Sequence, residues 1–146
     1  MAWGTAKPNP IPTIVATVAG ADVTLTAGSD ITGFTPAAPL IASYAGGWAY
    51  MVWLFATVVM GATAPTALVI KLKTATPTTL DTFTLPPANL VNNAIVPISV
   101  CLLGTTSGTL YFPTGDTPII TFNCTTTAAT LKAQSRAVFA FWETTD

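Results

Sequence analysis

A long stretch without charge constrains this chain more than any other feature of its sequence. The residues WAYMVWLFATVVM, from Trp48 to Met60, lie inside a run from Ile31 to Ile70 that contains no charged side chain. Such a stretch can form a membrane-spanning helix, a strand with one face in a core, or a strand with apolar partners on both faces. The first possibility predicts a membrane protein, and the last predicts a subunit of an assembly.

The composition favours a subunit. The chain has 146 residues, the size of one domain, and only 8% of them are charged, against a typical value of about 25%. The formal net charge of -1 leaves no basic patch, so we expect neither nucleic acid nor an anionic membrane surface as a partner. A weakly charged monomer tends to associate non-specifically unless a specific assembly already covers its apolar surface.

Short runs rich in β-branched residues predict an all-β fold. The 12 prolines and 10 glycines leave little room for helices, and threonine, a strand-favouring residue, is frequent. The stretch GFTPAAP is predicted as a loop and PPANLVNN as irregular. About eight strands are expected. The candidate runs are TIVATV (Thr13 to Val18), DVTLT (Asp22 to Thr26), the long stretch after Gly46-Gly47, ALVIKLK (Ala67 to Lys73), DTFTL (Asp81 to Leu85), IVPISVCLL (Ile95 to Leu103), TLYF, IITFNCT and RAVFAFWE.

Alternation within these runs predicts antiparallel sheets. In ALVIKLK, Leu68, Ile70 and Leu72 share one face, whereas Lys71 and Lys73 share the other. Strands with one apolar face and one solvent-exposed face are typical of antiparallel sheets. We therefore predict an antiparallel β-sandwich over residues 13–146, most simply a single jelly roll and otherwise an immunoglobulin-like sandwich, preceded by an extended arm over residues 1–12.

The long stretch is better explained as a strand than as a membrane helix, because Gly61 and Pro65 interrupt it and its aromatic residues cluster at one end. The second apolar face needs a cover, which is either a partner subunit or the chain's own segment GFTPAAPLIASY. We predict a subunit interface that includes Trp48, Tyr50, Met51, Trp53, Phe55 and Arg136. As a strand, the stretch places Trp48, Tyr50, Val52, Leu54, Val58 and Met60 on one face and Met51, Trp53, Phe55, Thr57 and Val59 on the other.

The N-terminal residues predict a stiff arm that lies on a neighbouring subunit. Prolines fix their own backbone φ angle and push the preceding residues, Lys7, Asn9 and Ile11, toward extended conformations. The segment has no apolar run typical of a signal peptide. The residues expected to make this contact are Trp3, Lys7, Pro8, Pro10 and Pro12.

The sequence offers no catalytic group, cofactor site or metal site. It contains no histidine, and Ser135 with Lys132 has the reverse of the SxxK spacing. Cys101 and Cys124 lack the spacing of a zinc site and are expected to be two buried apolar side chains, with a disulfide as the rival interpretation. Arg136 is either a solvated strand end or the partner of a carboxylate, such as Asp116, in another subunit.

The order of GGWAYMVWLFATVV, ALVIKLK, IVPISVCLL, TGDTPIITF and SRAVFAFWE, roughly from Gly46 to Glu143, resembles compact trimeric jelly rolls. These include the C1q and tumour-necrosis-factor-like modules and similar folds in bacteriophage capsid and capsid-decoration proteins. The resemblance implies a homotrimer. Because the arm carries a single Lys, a decoration or outer capsid subunit fits better than a coat protein that holds the genome directly.

These observations predict a non-enzymatic virion protein. The expected form is a homotrimeric capsid decoration or small capsid subunit that stabilises a phage capsid, without cofactor, nucleic acid or membrane. Its expected partners are its own copies and the major capsid protein or neighbouring capsid subunits. Its expected location is the capsid surface, after synthesis in the host cytoplasm. The alternative is a carbohydrate- or receptor-binding module that uses exposed aromatic residues such as Trp3, Tyr111 or Trp142.

Overall fold

The computed structural model describes residues 13–36, 48–74, 78–103 and 117–143, which form ten strands and a short 3₁₀ turn at Pro87–Asn89. The predicted all-β fold is confirmed, and most predicted strands are found within a residue or two of their expected bounds. The strands are β1 (Thr13–Val18), β2 (Val23–Leu25), β3 (Ile31–Phe34), β4 (Trp48–Met60), β5 (Ala67–Lys73), β6 (Thr79–Thr84), β7 (Ile95–Leu103), β8 (Ile119–Thr125), β9 (Ala129–Leu131) and β10 (Arg136–Glu143).

The strands form two antiparallel sheets that pack as a sandwich. The six-stranded sheet has the order β1-β10-β4-β9-β2, with β7 paired to the other edge of β4, and the four-stranded sheet has the order β3-β8-β5-β6. The pairings between these strands are all antiparallel, as the alternating sequence pattern predicts. The long strand β4 is the centre of the larger sheet.

The core lies between the two sheets and is built from alternating residues of their inner faces. Across the four-stranded sheet, Leu68 pairs with Cys124 and Ile70 pairs with Phe122. These side chains are fully buried, because each inner face removes its apolar surface from water by packing on the other sheet. The buried residues that β4 contributes are Val52, Leu54, Ala56, Val58 and Met60.

A tight corner joins β9 and β10 against the same edge of β4. The Lys132 backbone N–H donates to the Thr57 carbonyl oxygen at 2.9 Å, and the Thr57 N–H donates to the buried Ser135 Oγ at 2.9 Å. Because the Ser135 hydroxyl satisfies a backbone donor of β4, the ladder continues across the break between the two short strands. Ser135 therefore has a structural role in the corner.

The sequence prediction was wrong for two short strands. Gly33 and Phe34, predicted as part of a loop, belong to β3, where the pairing with β8 shifts between Thr32 and Phe34. A Cβ atom at Gly33 would lie 2.5 Å from Phe122 Cε2, so the glycine allows a close approach of backbone to ring. The strand β9 has only three residues and gave no periodic signal.

Two features of β7 hinder the pairing of a further strand with its free edge. Pro97 lies inside this strand, and the Leu103 N–H points away from β4 and donates to Asp81 Oδ2 at 2.8 Å. Backbone groups alternate in direction along a strand, so the nitrogen of Pro97 points to the same free edge as the N–H of Leu103. The missing donor therefore costs the ladder nothing, and the edge offers little to a further strand.

Candidate assembly surface

The outer face of the six-stranded sheet is apolar across four neighbouring strands. Strand register places Trp53 between Val138 on β10 and Cys101 on β7, and Phe55 between Arg136 and Ser99. We call this surface the outer apolar face. Its residues are Ile14, Ala16 and Val18 on β1, Arg136, Val138 and Ala140 on β10, Met51, Trp53, Phe55, Thr57 and Val59 on β4, and Ile95, Pro97, Ser99, Cys101 and Leu103 on β7.

Large apolar side chains on this face remain open to solvent in the isolated chain. Trp53 is 37% exposed, Phe55 is 47% exposed, Ile14 is 63% exposed and Ile95 is 69% exposed. Single exposed apolar residues are common on proteins, but a contiguous patch of this kind is typical of an interaction surface. The prediction that β4 carries apolar residues on both faces is therefore confirmed for the described residues from Met51 to Met60.

The outer face of the four-stranded sheet is mainly polar, with Val69 and Ile119 as apolar exceptions. Thr82 and Thr84 are exposed on β6, and Lys71 and Lys73 lie at the outward positions of β5. The two outer faces of the sandwich thus differ in chemistry, as expected if water covers one and protein covers the other. The asymmetry identifies the outer apolar face as the candidate functional surface.

A charged network ties together three strands of the polar face. Asp30, just before β3, accepts hydrogen bonds from Lys71 Nζ at 2.9 Å, from Lys73 Nζ at 2.9 Å and from Asn123 Nδ2 at 2.8 Å. Partial burial raises the pKa of Asp30, but the hydrogen bonds from Lys73, Lys71 and Asn123 outweigh this effect and hold the pKa well below its ordinary value. The network uses both lysines of β5 to stabilise the fold.

A shallow groove crosses the outer apolar face. Its volume is about 720 Å³, and its lining includes Phe55, Pro97, Arg136 and Val138. Arg136 is exposed and makes no ion pair within the described segments. Asp116, the carboxylate considered for it, lies outside the described residues. The groove therefore presents a guanidinium group beside an aromatic ring and apolar walls.

The structure brings together four of the residues predicted for the interface. Met51, Trp53, Phe55 and Arg136 all occupy the outer apolar face, with Met51 half-buried. Trp48 and Tyr50 pair with β10 in the sheet, but their side chains fall outside the described part of the chain. The arm residues Trp3, Lys7, Pro8, Pro10 and Pro12 also lie outside the described residues.

Sequence reasoning missed the contributions of β1 and β7 to this face. Ile14, Val18 and Leu103 are exposed there, although the predicted interface included only residues of β4 and Arg136 of β10. Alternation in TIVATV and IVPISVCLL would have separated the outward from the inward residues of both strands. What the sequence alone could not supply was that β1 and β7 belong to the same sheet as β4.

Both cysteines are free, and the expectation that both are buried was wrong for one of them. Cys124 is buried in the core, whereas Cys101 is exposed on the outer apolar face, opposite Trp53. Desolvation raises the pKa of each thiol, which keeps it protonated at neutral pH. Exposure of Cys101 follows from its odd-numbered position in β7, which faces outward.

Other chemistry-bearing groups are engaged in structure. Lys132 forms an ion pair with Asp22, and Ser135 is buried at the corner between β9 and β10, so the two do not form an accessible pair. The residues that the structure describes contain no cluster of three or more potential metal ligands. They also contain no helix with the length and apolar character required to cross a bilayer.

Comparisons with known proteins identify structures of similar shape but no family. No protein-family model and no curated protein match the chain. A crystal structure of FLHE matches with a TM-score of 0.49 and 14% identity, covering 94% of this chain and 100% of that one. The infectious bursal disease virus Gt strain structure matches with a TM-score of 0.42 and 13% identity, covering 92% of this chain and 38% of that one.

A crystal structure of the VP2 subviral particle of the same virus also matches, with a TM-score of 0.42 and 13% identity. That match covers 92% of this chain and 37% of the VP2 chain, so the chain spans well under half of the viral proteins' length. These TM-scores lie below 0.5, and the similarities carry no functional conclusion for this chain.

Proposed function

We propose that this chain is a non-enzymatic structural subunit of a virion, a homotrimer that decorates or forms part of a phage capsid. The observation that carries the proposal is the outer apolar face, on which Trp53 and Phe55 are exposed at the centre of the larger sheet. A charge-poor protein with such a surface needs a specific partner to remain in solution. Another copy of the same chain is the simplest partner.

The size of the surface supports stable association. Its exposed apolar side chains offer on the order of 600 Å² of surface, close to the roughly 800 Å² that each partner buries in a standard interface. Aromatic residues at the centre of an interface commonly contribute most of its binding free energy. Trp53 and Phe55 occupy that position, and the exposed Ile14 and Leu103 extend the patch to the outer strands β1 and β7.

The order of strand pairing supports a jelly roll. Strand β1 pairs with β10, β3 with β8, β4 with β7, and β5 with β6, so the pairs are nested as in a long hairpin rolled into a sandwich. Successive turns of that hairpin alternate between the two sheets, which is the arrangement of two Greek keys. This pairing order fits the resemblance to trimeric jelly rolls, and it supports the assignment of the sandwich as a jelly roll.

The proposed partners are further copies of the chain and the major capsid protein or a neighbouring capsid subunit. The outer apolar face would mediate contacts within the trimer, and the Pro-rich arm would reach a neighbouring subunit. The proposed location is the capsid surface. No catalytic role is proposed, because Ser135 and Lys132 are both used to hold the β9–β10 corner.

Two measurements test this proposal. Light scattering of the purified chain at micromolar concentration should give a mass about three times 15.1 kDa, and a stable monomer would contradict the proposal. The genes that flank the gene for this chain should include one for a major capsid protein. Flanking genes without any virion component would contradict the virion assignment and leave the trimer untouched.

The groove beside Phe55 and Arg136 favours a second candidate, a carbohydrate- or receptor-binding module. Aromatic rings stack on sugar faces, and a guanidinium group donates hydrogen bonds to acidic or hydroxyl groups. A glycan array separates the candidates, since a reinforcing subunit should bind no sugar. Binding that disappears in Phe55→Ala would favour the module instead.

A further inference from the structure

Strand β1 forms an edge of the six-stranded sheet that no described strand covers. The Ala19 N–H donates to the Ser135 carbonyl oxygen, in register with the pairing of Val18 and Arg136. Because backbone direction alternates, the N–H and C=O groups of Ile14, Ala16 and Val18 point away from β10. Three consecutive donor and acceptor pairs are therefore available at this edge.

Nothing in the sequence of β1 blocks this edge. The strand TIVATV contains no proline and no charge, in contrast to β7, where Pro97 and the Asp81–Leu103 hydrogen bond close the edge. A flat, uncharged edge strand is a template for the addition of another strand. The edge of β1 is thus suited to pairing, and the edge of β7 is not.

The N-terminal sequence has a matching pattern. Prolines occupy positions 8, 10 and 12, and each is preceded by a residue with a backbone donor: Lys7, Asn9 and Ile11. In an extended strand, alternate residues direct their N–H groups to the same side, so all three prolines would share one side. The proline side has no backbone N–H donor, whereas the opposite side has the N–H groups of Lys7, Asn9 and Ile11. The arm can therefore pair along one side only.

A chain cannot easily pair this arm with its own β1. Pairing of Ile11 with Ile14 in one chain would leave Pro12 and Thr13 as a two-residue loop, although Thr13 already pairs with Phe141 of β10. The shortest common hairpins need a two-residue loop, usually with Gly or Asn at positive φ, which proline cannot adopt. Pairing between two copies requires no such turn.

We propose that residues 7–11 of one copy add to the edge of β1 in a second copy as a final strand of its sheet. The arm's donor side faces Ile14, Ala16 and Val18, and its prolines face outward and end the sheet. If the arm runs antiparallel to the edge, Asn9 at the centre of the arm and Ala16 at the centre of the edge form a hydrogen-bonded pair directly opposite each other. If each copy donates its arm to the next copy, three such contacts close the ring of a trimer. This inference rests on the proposed assembly of the chain.

A matched pair of arm variants tests which side of the arm is used. Asn9→Pro removes a donor from the pairing side and should weaken association about tenfold, measured as the dissociation constant over a dilution series. Pro10→Ala adds a donor to the outward side and should change that constant by less than about twofold. Equal effects of the two variants, or no effect of Asn9→Pro, would overturn the proposal.

Disulfide cross-linking tests where the arm pairs. In a Cys101→Ser background, one preparation carries Asn9→Cys and a second carries Ala16→Cys, a spacing that paired strands allow for a disulfide. Mixing them should give a disulfide-linked dimer that neither preparation forms alone. A dimer of the Ala16→Cys preparation alone would show two β1 edges paired, and would overturn the proposal. So would a double variant that closes within one chain.

The size of the unsubstituted protein separates this inference from the proposed function. If the protein is an oligomer but the mixed preparations do not cross-link, the arm proposal is wrong and the assembly role stands. If the protein is a monomer at every concentration, both are wrong.

Discussion

Phe55 and Arg136 are register partners on the neighbouring strands β4 and β10, and both are exposed on the outer face of the larger sheet. Arg136 is the only charged residue at the outward positions of β1, β10, β4 and β7 in the described segments. A single cation within an apolar surface is best accommodated by a carboxylate from the partner, because a desolvated charge needs a counter-charge.

This relationship predicts a salt-dependent association. Arg136→Gln should weaken self-association about tenfold at low ionic strength and remove most of its salt dependence, since the charge pair is lost. Sedimentation equilibrium at several salt concentrations measures both quantities. Association that keeps the salt dependence of the original protein would show that Arg136 is only a solvated strand end.

Substitution of Gly33 by alanine should create a localised packing defect. A Cβ atom there would lie 2.5 Å from Phe122 Cε2 and 2.8 Å from Phe122 Cδ2, so Gly33→Ala must displace a fully buried ring. The expected loss in free energy of unfolding is about 1–3 kcal/mol. Gly20→Ala is the matched control, because a Cβ atom at Gly20 would have no neighbour within 4 Å and its change should stay within about 0.5 kcal/mol. Urea denaturation of both variants measures the difference.

The Asp30 carboxylate should make the stability of the fold depend on pH. Its pKa is lowered in the folded state, so its contribution is complete above the unfolded value of about 3.9 and is lost as pH falls toward the folded value. Unfolding midpoints between pH 7 and pH 2 should therefore fall more steeply in the original protein than in Asp30→Asn. Asp22→Asn should change this slope less, because Asp22 is exposed. Parallel curves for the original protein and Asp30→Asn would contradict this account.

Deletion of residues 1–12 should separate attachment from folding. The truncated chain keeps all ten described strands and the core residues that they place between the two sheets, so its unfolding temperature as an isolated subunit should stay within a few degrees of the original. Its self-association and its binding to capsid shells should both weaken, as measured by light scattering and by co-sedimentation. A much lower unfolding temperature would show that the arm is part of the core.

The local features of the fold could be predicted from sequence, and the long-range ones could not. The alternation in β4 and β5 fixed their buried faces, because a strand has a period of two residues. The strands β3 and β9 were missed because a glycine and a three-residue length leave no periodic signal. The outer apolar face depends on pairings such as Ile14 with Ala140, which join residues far apart in sequence.

The central claim is that another copy of this chain covers Trp53, and one substitution tests it most directly. Trp53→Glu should place an unpaired charge in the interface, at a cost of about 3 kcal/mol or more, and convert the trimer into folded monomers. Thr84→Glu, on the exposed polar face, should leave the trimer intact.

Light scattering combined with circular dichroism gives the answer in a single comparison. The account predicts a monomer with a normal β spectrum and a cooperative melt for Trp53→Glu. A Trp53→Glu protein that remains a normal trimer would contradict the account. So would one that is insoluble or has lost its cooperative melt, because Trp53 would then be covered by the chain's own residues.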